Sequence, residues 1–531
     1  MLAGSHIAPA NSGWLRPRSL AALAVGAGLA ATAIAAVAPP LLVAVGIASV
    51  LVAIVVVSRP LAGLVLIVVF FATVVEVDVL PLVSVGIGRL NPIDVILLAY
   101  LVMIAKRALW PDANQPAISF SLIDLAIVAF MILLLLSTLR GLEQGTTDLD
   151  AATQMLRVFG YYLTAVVVTH LFSRREDLDR LIAAVLILAV AVSMAMIVQL
   201  FVGSDIAIVN GRVEPITAEG GQSSTRIIPG GRYLILVGSW LFTALIGLVR
   251  GRRPLQYYVG WALTSVAVLL TFNRSFFVAS ALVFAIMAVV STPWQRRKLA
   301  GAIGGAGAIA IIVVACVLAG PANQVRDTVV SYLDRIASLG DSDTYDAALT
   351  DSGWTVSSLE FRRIENEYAA EHLDPPPLLG LGAGASYRPF DDRLDSEDFP
   401  DGDRYIHNGH LWVILKAGVL GYAALLVAYA ATAGWGWRVW RRARDPRDQA
   451  IGLVFAVAVP SLLTISIVDP ALADVAWAPL FGIIAGWTAI VARPLARSTG
   501  SIRSEPLLGE VDDHEVHHHR SHVLHDDEVS S

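Results

Sequence analysis

The sequence predicts an all-α fold, a polytopic membrane helix bundle of about 12–14 transmembrane helices with one large extracytoplasmic loop containing short helices. Two observations predict it. Of the 531 residues, 56% are hydrophobic and only 15% are charged, which excludes a soluble enzyme and a disordered chain. Apolar runs of membrane-crossing length also recur along the chain. The net charge of −6 further argues against a nucleic-acid-binding protein.

The apolar runs define the predicted helices one by one. A hydrocarbon core of about 30 Å needs roughly 17–25 apolar residues per helix. The runs extend over residues 19–37, 40–57, 60–76, 92–109, 121–138, 156–172, 180–202, 233–249, 256–272, 275–292, 300–320, 410–432, 450–467 and 472–492. Pro39-Pro40 alone separates the first two runs and the third is short, so the count lies between twelve and fourteen. The first run is longer than the apolar part of a usual signal peptide, and we expect it to stay in the membrane.

Cationic side chains predict the orientation, because those in short loops stay on the cytoplasmic side. They fall on every second loop, at Arg16/Arg18, Arg59, Lys106/Arg107, Arg174/Arg175, Arg250/Arg252/Arg253, Arg296/Arg297/Lys298 and Arg438–Arg447. Both termini are therefore expected in the cytoplasm. Only three of the 38 cationic residues are lysines, a usage typical of a GC-rich genome, so we expect a multi-pass protein of a bacterial cytoplasmic (inner) membrane.

Five regions follow from these spans. They are a cytoplasmic N-terminus (1–18), helices 1–11 (19–320), a large extracytoplasmic loop (321–409), helices 12–14 (410–492) and a disordered His-rich cytoplasmic tail (493–531). Residues 321–406 of the loop carry seven arginines and eighteen acids, a net charge of −11, so the loop has no attraction to anionic lipid. Within it, Ser357–Leu373 has the apolar spacing of an amphipathic helix, which the following prolines end. The single cysteine, Cys316, excludes a disulfide framework and a cysteine-ligated metal site.

Three clusters at the predicted outer boundary of the membrane are candidate sites, because a charge close to the bilayer is costly unless it is paired or used. Arg274 lies in a very short turn between two spans, on the side that carries few cations. Arg362 and Arg363 lie in the amphipathic helix. His407, followed by Asn408 and His410, opens a span. Each cluster also has a structural interpretation. Arg274 could be an arginine that snorkels to the headgroups, Arg362 and Arg363 could form surface ion pairs, and His407 could be a structural histidine.

The clusters together resemble the O-antigen ligase/polymerase superfamily. The segment from His407-Asn408 to Gly418-Val-Leu-Gly421 resembles its signature of His-Asn at the start of a span with Gly-x-x-Gly eleven residues after the histidine. Arg362 with Pro377-Leu-Leu-Gly-Leu-Gly382 looks like the family's Arg…Pro-x-x-Gly-x-Gly stretch, and Thr271–Ser275 like its Thr-x-x-Arg turn. The resemblance covers about residues 210–470. Because Arg363 directly follows Arg362, the resemblance does not decide which of the two corresponds to the family's loop arginine.

The resemblance implies a metal-independent, inverting glycosyltransferase without a cofactor, acting at the outer face of the membrane. Its donor would be a glycan on undecaprenyl diphosphate, and its acceptor a hydroxyl of a glycan, a lipid or the cell wall. His407 would be the general base, and Arg274 with Arg362 or Arg363 would bind the diphosphate, since guanidinium groups bind phosphate oxygens in bidentate fashion. Further substrate-binding candidates are Arg226, Arg232, Asn408 and His410. Whether the enzyme is a ligase or a polymerase stays open.

Two other functions compete with this one. A metal-using, polyprenyl-phosphate-dependent glycosyltransferase of another class would use paired acids, such as Glu76/Asp78, Asp341/Asp343 or Asp401/Asp403. A lipid-linked oligosaccharide flippase or transporter could have a similar number of spans. The large outer loop and the lack of a visible internal repeat argue against the flippase.

Overall fold

The computed structural model describes the greater part of the chain. The described residues are 58–71, 83–84, 89–110, 118–172, 174–202, 206, 208–209, 211–217, 223–251, 253–271, 273–319, 358–391, 393–394 and 402–500. Within them the helices, in chain order, are α1 (Pro60–Phe71), α2 (Pro92–Leu109), α3 (Leu122–Glu143), α4 (Leu149–Gly160), α5 (Thr164–Leu171), α6 (Arg175–Val202), α7 (Arg232–Gly247), α8 (Leu255–Leu270), α9 (Arg274–Val290), α10 (Pro293–Ala319), α11 (Ser358–Glu371), α12 (Gly409–Arg442), α13 (Pro446–Ile465) and α14 (Trp477–Gly500).

The predicted all-α membrane bundle is confirmed. By length and composition, six membrane-crossing helices lie in the described residues: α3, α4 with α5, α6, α12, α13 and the apolar part of α14. Shorter apolar helices accompany them, among them α1, α7, α8 and α9. Each predicted span from 60–76 onward coincides with helix, whereas the spans 19–37 and 40–57 lie outside the described residues. The predicted amphipathic helix of the large loop coincides with α11.

Two elements differ in detail from the sequence prediction. The span predicted at 156–172 consists of α4 and α5, which the 3₁₀ turn Tyr161–Leu163 joins. The loop before α7, predicted to lie outside, contains an antiparallel hairpin of β3 (Gly211–Thr217) and β4 (Ser223–Pro229). An earlier two-residue pair consists of β1 (Val83–Ser84) and β2 (Arg89–Leu90). β-Branched residues are frequent in β3 and β4, which favours strands over a helix there.

A buried hydrogen-bond chain connects the centre of the bundle. Trp477 Nε1 donates to the Tyr429 hydroxyl (2.6 Å), and the Tyr162 hydroxyl donates to the Leu472 carbonyl (2.8 Å). Because the Tyr162 proton is used there, Tyr429 donates to Tyr162 across 2.8 Å. Phe481 stacks on Tyr429 with ring centroids 4.1 Å apart. This chain satisfies polar atoms that would otherwise be costly in an apolar core, and it fixes α12 and α14 against the turn before α5.

Contacts between loops group them at two opposite ends of the bundle. At the end called the site end below, Thr147 Oγ1 donates to the Ala383 carbonyl (3.1 Å), and Gly409 N donates to the Ser466 carbonyl (2.7 Å). At the opposite end, Arg107 Nη1 donates to the His170 carbonyl (3.2 Å). There Arg447 also pairs with Asp179 at 3.3 Å. The predicted outer loops thus meet at the site end, and the arginine-rich loops meet at the other.

Candidate functional site

The site end is built around a break in α12. Gly418 has φ of 74° inside this helix, a left-handed conformation that a side chain strains. The break frees the carbonyls of Leu415 and Lys416, which accept hydrogen bonds from Leu381 N (2.7 Å) and Gly382 N (3.1 Å). The glycine-rich segment after the triple proline therefore inserts into the broken helix.

The same segment is bound to α3 on its other side. Gly380 N donates to Ser137 Oγ (3.1 Å), and Ala383 N donates to Thr138 Oγ1 (3.0 Å). The glycines predicted to allow close approach thus approach the backbone of the protein's own helices. Since the amides of residues 380–383 all donate to protein groups, this segment has no free amides with which to cradle a phosphate.

Lys416 reinforces this docking. Its side chain is fully buried in the site end, and its ammonium group donates to the Ala385 carbonyl. A buried cation is costly unless it is bound. Lys416 therefore ties the end of the inserted segment to the first turns of α12.

His407 lies directly before α12 and contacts α11. Its Nδ1 is 2.9 Å from Oε2 and 3.2 Å from Oε1 of Glu365, and its backbone N donates to Glu365 Oε2 at 3.2 Å. Glu365 is 2% exposed. Phe361 and Tyr405 lie edge-on to the imidazole, with centroids 5.6 and 5.0 Å away. A carboxylate only accepts, so Nδ1 carries the proton and Nε2 of the neutral ring keeps its lone pair.

The two polar residues after His407 have different surroundings. Asn408 is the N-cap of α12, because its side-chain oxygen accepts from the backbone N of His410 (3.1 Å) and Leu411 (3.2 Å). His410 Nε2 donates to the Leu463 carbonyl (2.7 Å), and its Nδ1 lies 2.7 Å from the Tyr422 hydroxyl. Both imidazole nitrogens of His410 are thus engaged within the protein.

Arg362 and Arg363 occupy different faces of α11. The Arg363 side chain is 67% exposed and pairs with Glu360 (3.4 Å) and Glu367 (3.2 Å) of its own helix. Arg362 is half-buried, and its Nε is buried without a hydrogen-bond partner among the described residues. It lies three residues before Glu365, a spacing that places two side chains on one side of a helix, and Glu365 contacts His407. The geometry therefore favours Arg362 as the residue available to a ligand.

Arg274 is the first residue of α9, and its guanidinium has one fully buried nitrogen. Asn273 caps the helix, accepting from Ser275 N at 3.1 Å, and its amide donates to Asp469 Oδ2 at 3.4 Å. This contact fixes the start of α9 against the loop between α13 and α14. Arg274 is thereby held at the site end.

Arg232 belongs to a buried ion network at the same end. Its Nη2 lies 2.6 Å from Asp474 Oδ2 and 3.5 Å from Asp469 Oδ1, and the Tyr233 hydroxyl donates to Asp469 Oδ1 at 2.6 Å. Burial raises the pKa of the Asp474 carboxyl, which Arg232 opposes. This guanidinium is therefore already paired with two carboxylates, a structural interaction that leaves less of its hydrogen-bonding capacity for a ligand.

Tyr405 lies between this network and His407. Burial raises the pKa of its phenol, and the carboxylates of Asp469 and Glu365 raise that pKa further, whereas Arg232 lowers it. Its ring contacts both His407 and Trp412, with centroids 5.0 and 4.9 Å away. The start of α12, the start of α7 and α11 therefore converge around one tyrosine.

The remaining predicted residue, Arg226, lies in β4 opposite Glu214 of β3 in the backbone register. Most of the acids of the metal-using alternative lie outside the described residues: Glu76, Asp78, Asp341, Asp343 and Asp401. Their remaining member, Asp403, accepts from Ser386 Oγ, and its carbonyl accepts from Tyr387 N at 3.0 Å.

Sequence reasoning did not single out Glu365, Asp469 or Asp474. Glu365 follows Arg362 by three residues, the spacing that places two side chains on one helix face, and this signal was available in the sequence. The two aspartates contact Arg232 across more than 230 residues, so no local pattern connects them.

Comparison with protein families gives a match to the family described as O-antigen ligase over residues 259–426. The matched residues include Arg274, Arg362, Arg363, His407, Asn408 and His410, whereas Arg226 and Arg232 precede them. No curated protein matches the chain.

Proposed function

We propose that the chain, whose residues 259–426 match the family described as O-antigen ligase, is an inverting glycosyltransferase of the O-antigen ligase/polymerase superfamily. It moves a glycan from undecaprenyl diphosphate to an acceptor hydroxyl at the outer face of the bacterial cytoplasmic membrane. No divalent metal ion takes part. The partners are the lipid-linked donor, a glycan, lipid or cell-wall acceptor, and the surrounding membrane lipids.

One observation carries this proposal: His407 donates Nδ1–H to buried Glu365 and keeps the Nε2 lone pair available. In the reaction Nε2 takes the proton of the acceptor hydroxyl. The acceptor oxygen attacks the anomeric carbon, the bond from that carbon to the diphosphate oxygen breaks, and its electron pair leaves with undecaprenyl diphosphate. Attack opposite the leaving group inverts the anomeric centre.

The leaving diphosphate gains negative charge in the transition state, and fixed guanidinium groups stabilise that charge best. Arg362 supports this role because its Nε is buried and unpartnered among the described residues, on the helix whose Glu365 contacts His407. Arg274 supports it through its position at the start of α9, next to the Asn273–Asp469 contact. Arg363, Arg232, Asn408 and His410 have weaker claims, because their described contacts favour structural roles, and Arg226 stays a candidate from the sequence alone.

The test is transfer by the purified full-length protein in detergent, with a fluorescent undecaprenyl-diphosphate glycan and candidate acceptors. A product ladder would indicate a polymerase, and a single adduct would indicate a ligase. EDTA should leave the rate nearly unchanged. Strict dependence on Mg²⁺ or Mn²⁺, together with loss of activity in Glu76→Gln or Asp78→Asn, would instead favour the metal-using class.

Detergent also separates an enzyme from a transporter. A flippase needs a sealed membrane to show its function, so it would form no covalent product in this assay. Absence of product with every acceptor, combined with transport activity in proteoliposomes, would overturn the proposed function.

A further inference from the structure

Glu365, which the sequence did not single out, contacts the catalytic candidate directly. Both of its carboxylate oxygens face Nδ1 of His407, at 2.9 and 3.2 Å, and one of them also accepts the backbone N–H of His407. At 2% exposure the carboxylate is shielded from water, which strengthens its interaction with the imidazole.

We propose that Glu365 is a positioning residue that forms a dyad with His407, fixing the imidazole tautomer and stabilising the imidazolium formed during glycosyl transfer. This inference rests on the proposed function. The Nδ1–H···carboxylate contact leaves Nε2 as the only ring nitrogen able to accept a proton. After proton transfer the imidazolium is held against the negative charge of Glu365.

The position of Glu365 on α11 also links His407 to the helix that carries Arg362. Arg362 precedes it by one turn, so the contact that orients His407 also fixes the helix that presents Arg362. Phe361 lies on the same helix and packs edge-on against the imidazole. One carboxylate thus couples the base to the element that carries the proposed diphosphate ligand.

Other charged groups near His407 do not substitute for Glu365. Besides Glu365, the described contacts of the imidazole are the rings of Phe361 and Tyr405, and the Tyr405 phenol interacts electrostatically with Asp469, Arg232 and Asp474. Asp469 and Asp474 both lie within salt-bridge distance of Arg232. Glu365 is the carboxylate in hydrogen-bond contact with the imidazole.

The decisive variant is Glu365→Gln, which keeps the shape of the side chain and removes its charge. We expect kcat to fall by about 10²-fold or more, with little change in KM for the lipid-linked donor. The acid limb of the pH–rate profile should change as well, because the imidazole no longer faces a carboxylate.

Glu367→Gln is the matched control. Glu367 lies on the same helix, its side chain is 63% exposed, and it pairs with Arg363. This variant should keep the wild-type rate and the wild-type acid limb. An unchanged rate and pH profile in Glu365→Gln would overturn the dyad. An equal loss at every pH, accompanied by a lower melting temperature, would also overturn it, since that pattern is expected of a purely structural contact.

Glu365→Asp decides the matter if the glutamine variant cannot be recovered from the membrane. Aspartate keeps the charge, but its shorter side chain holds the carboxylate farther from Nδ1 of His407. We therefore expect slower transfer, with the acid limb of the pH–rate profile close to wild type. A full wild-type rate would count against the dyad. His407→Ala separates the two levels of inference, because an active His407→Ala would refute the proposed function itself. An inactive His407→Ala beside a normal Glu365→Gln would refute only the role of Glu365.

Discussion

At the scale of single residues, two histidines three positions apart at the start of α12 differ in what their nitrogens contact. His407 uses one nitrogen for Glu365, whereas His410 uses both, one for the Leu463 carbonyl and one for the Tyr422 hydroxyl. A general base needs a free lone pair, and a residue that joins two helices needs none. These contacts support the proposed base role of His407 and a packing role for His410.

We expect His407→Ala to abolish glycosyl transfer while the protein inserts and purifies normally. His410→Ala should keep measurable activity and lower the melting temperature, because it removes the hydrogen bond to the part-buried Leu463 carbonyl, at about 0.5–1.5 kcal/mol. The measurements are the transfer rate and thermal unfolding in detergent. An inactive but stable His410→Ala beside an active His407→Ala would show that the roles are reversed.

The arginines give a second test at this scale. Lysine keeps the charge of arginine but loses its planar pair of donors, so Arg274→Lys and Arg362→Lys should each slow transfer by about tenfold or more. If both bind one diphosphate, the double variant should lose less than the product of the two single effects. Arg363→Lys should be nearly neutral, since Arg363 is exposed and pairs only within α11 among the described contacts. Near-wild-type turnover in both Arg274→Lys and Arg362→Lys would contradict the proposal that these arginines bind the diphosphate.

At the scale of elements, the break in α12 determines where the large loop attaches. A continuous helix would use the carbonyls of Leu415 and Lys416 internally, whereas the break offers them to Leu381 and Gly382. Non-helical backbone at membrane depth is tolerated only where protein groups satisfy it, and the inserted segment does so for α12.

Gly418 is therefore expected to resist substitution. A Cβ at this position would clash with the Leu378 carbonyl and would also strain a residue with φ of 74°. Gly418→Ala should reduce thermal stability and transfer together, with a backbone cost of about 1–3 kcal/mol before the clash is relieved.

Gly434→Ala is the control within the same helix. Nothing lies within 4 Å of a Cβ added there. Alanine favours a helix by about 1 kcal/mol over glycine, so this variant should be neutral or slightly more stable. Comparable stability of Gly418→Ala and Gly434→Ala in thermal unfolding would contradict the importance of the break.

At the scale of the whole molecule, the bundle separates two kinds of loop. The site end gathers the residues with proposed chemistry, and the opposite end gathers ion pairs such as Arg175 with Asp448, in which Nη1 lies 2.6 Å from Oδ2. Since arginine-rich loops stay in the cytoplasm, the site end should face outward.

Cysteine labelling tests this orientation in a Cys316→Ala background. Glu143→Cys at the site end should react with a membrane-impermeant maleimide in intact spheroplasts, because Glu143 is exposed at the end of α3. Glu176→Cys at the opposite end, where the glutamate side chain is 80% exposed, should react only after permeabilisation. The opposite labelling pattern would place the site in the cytoplasm.

The sequence by itself determined the membrane class, the helix positions and the three motifs, because hydrophobic length and positive charge act locally along the chain. It also located α11, whose apolar spacing is a local property. It could not choose between Arg362 and Arg363, because adjacent residues on a helix differ only in what their faces meet.

Only the tertiary structure decided the partners at the site end. The Glu365–His407 contact spans 42 residues, and Arg232 meets Asp474 across 242, so neither leaves a local pattern. The glycine-rich segment shows the same limit, since its sequence allows close approach to a ligand or to protein. In the packed bundle the segment binds to protein, because its backbone amides donate to the free carbonyls of α12 and to the side-chain hydroxyls of α3.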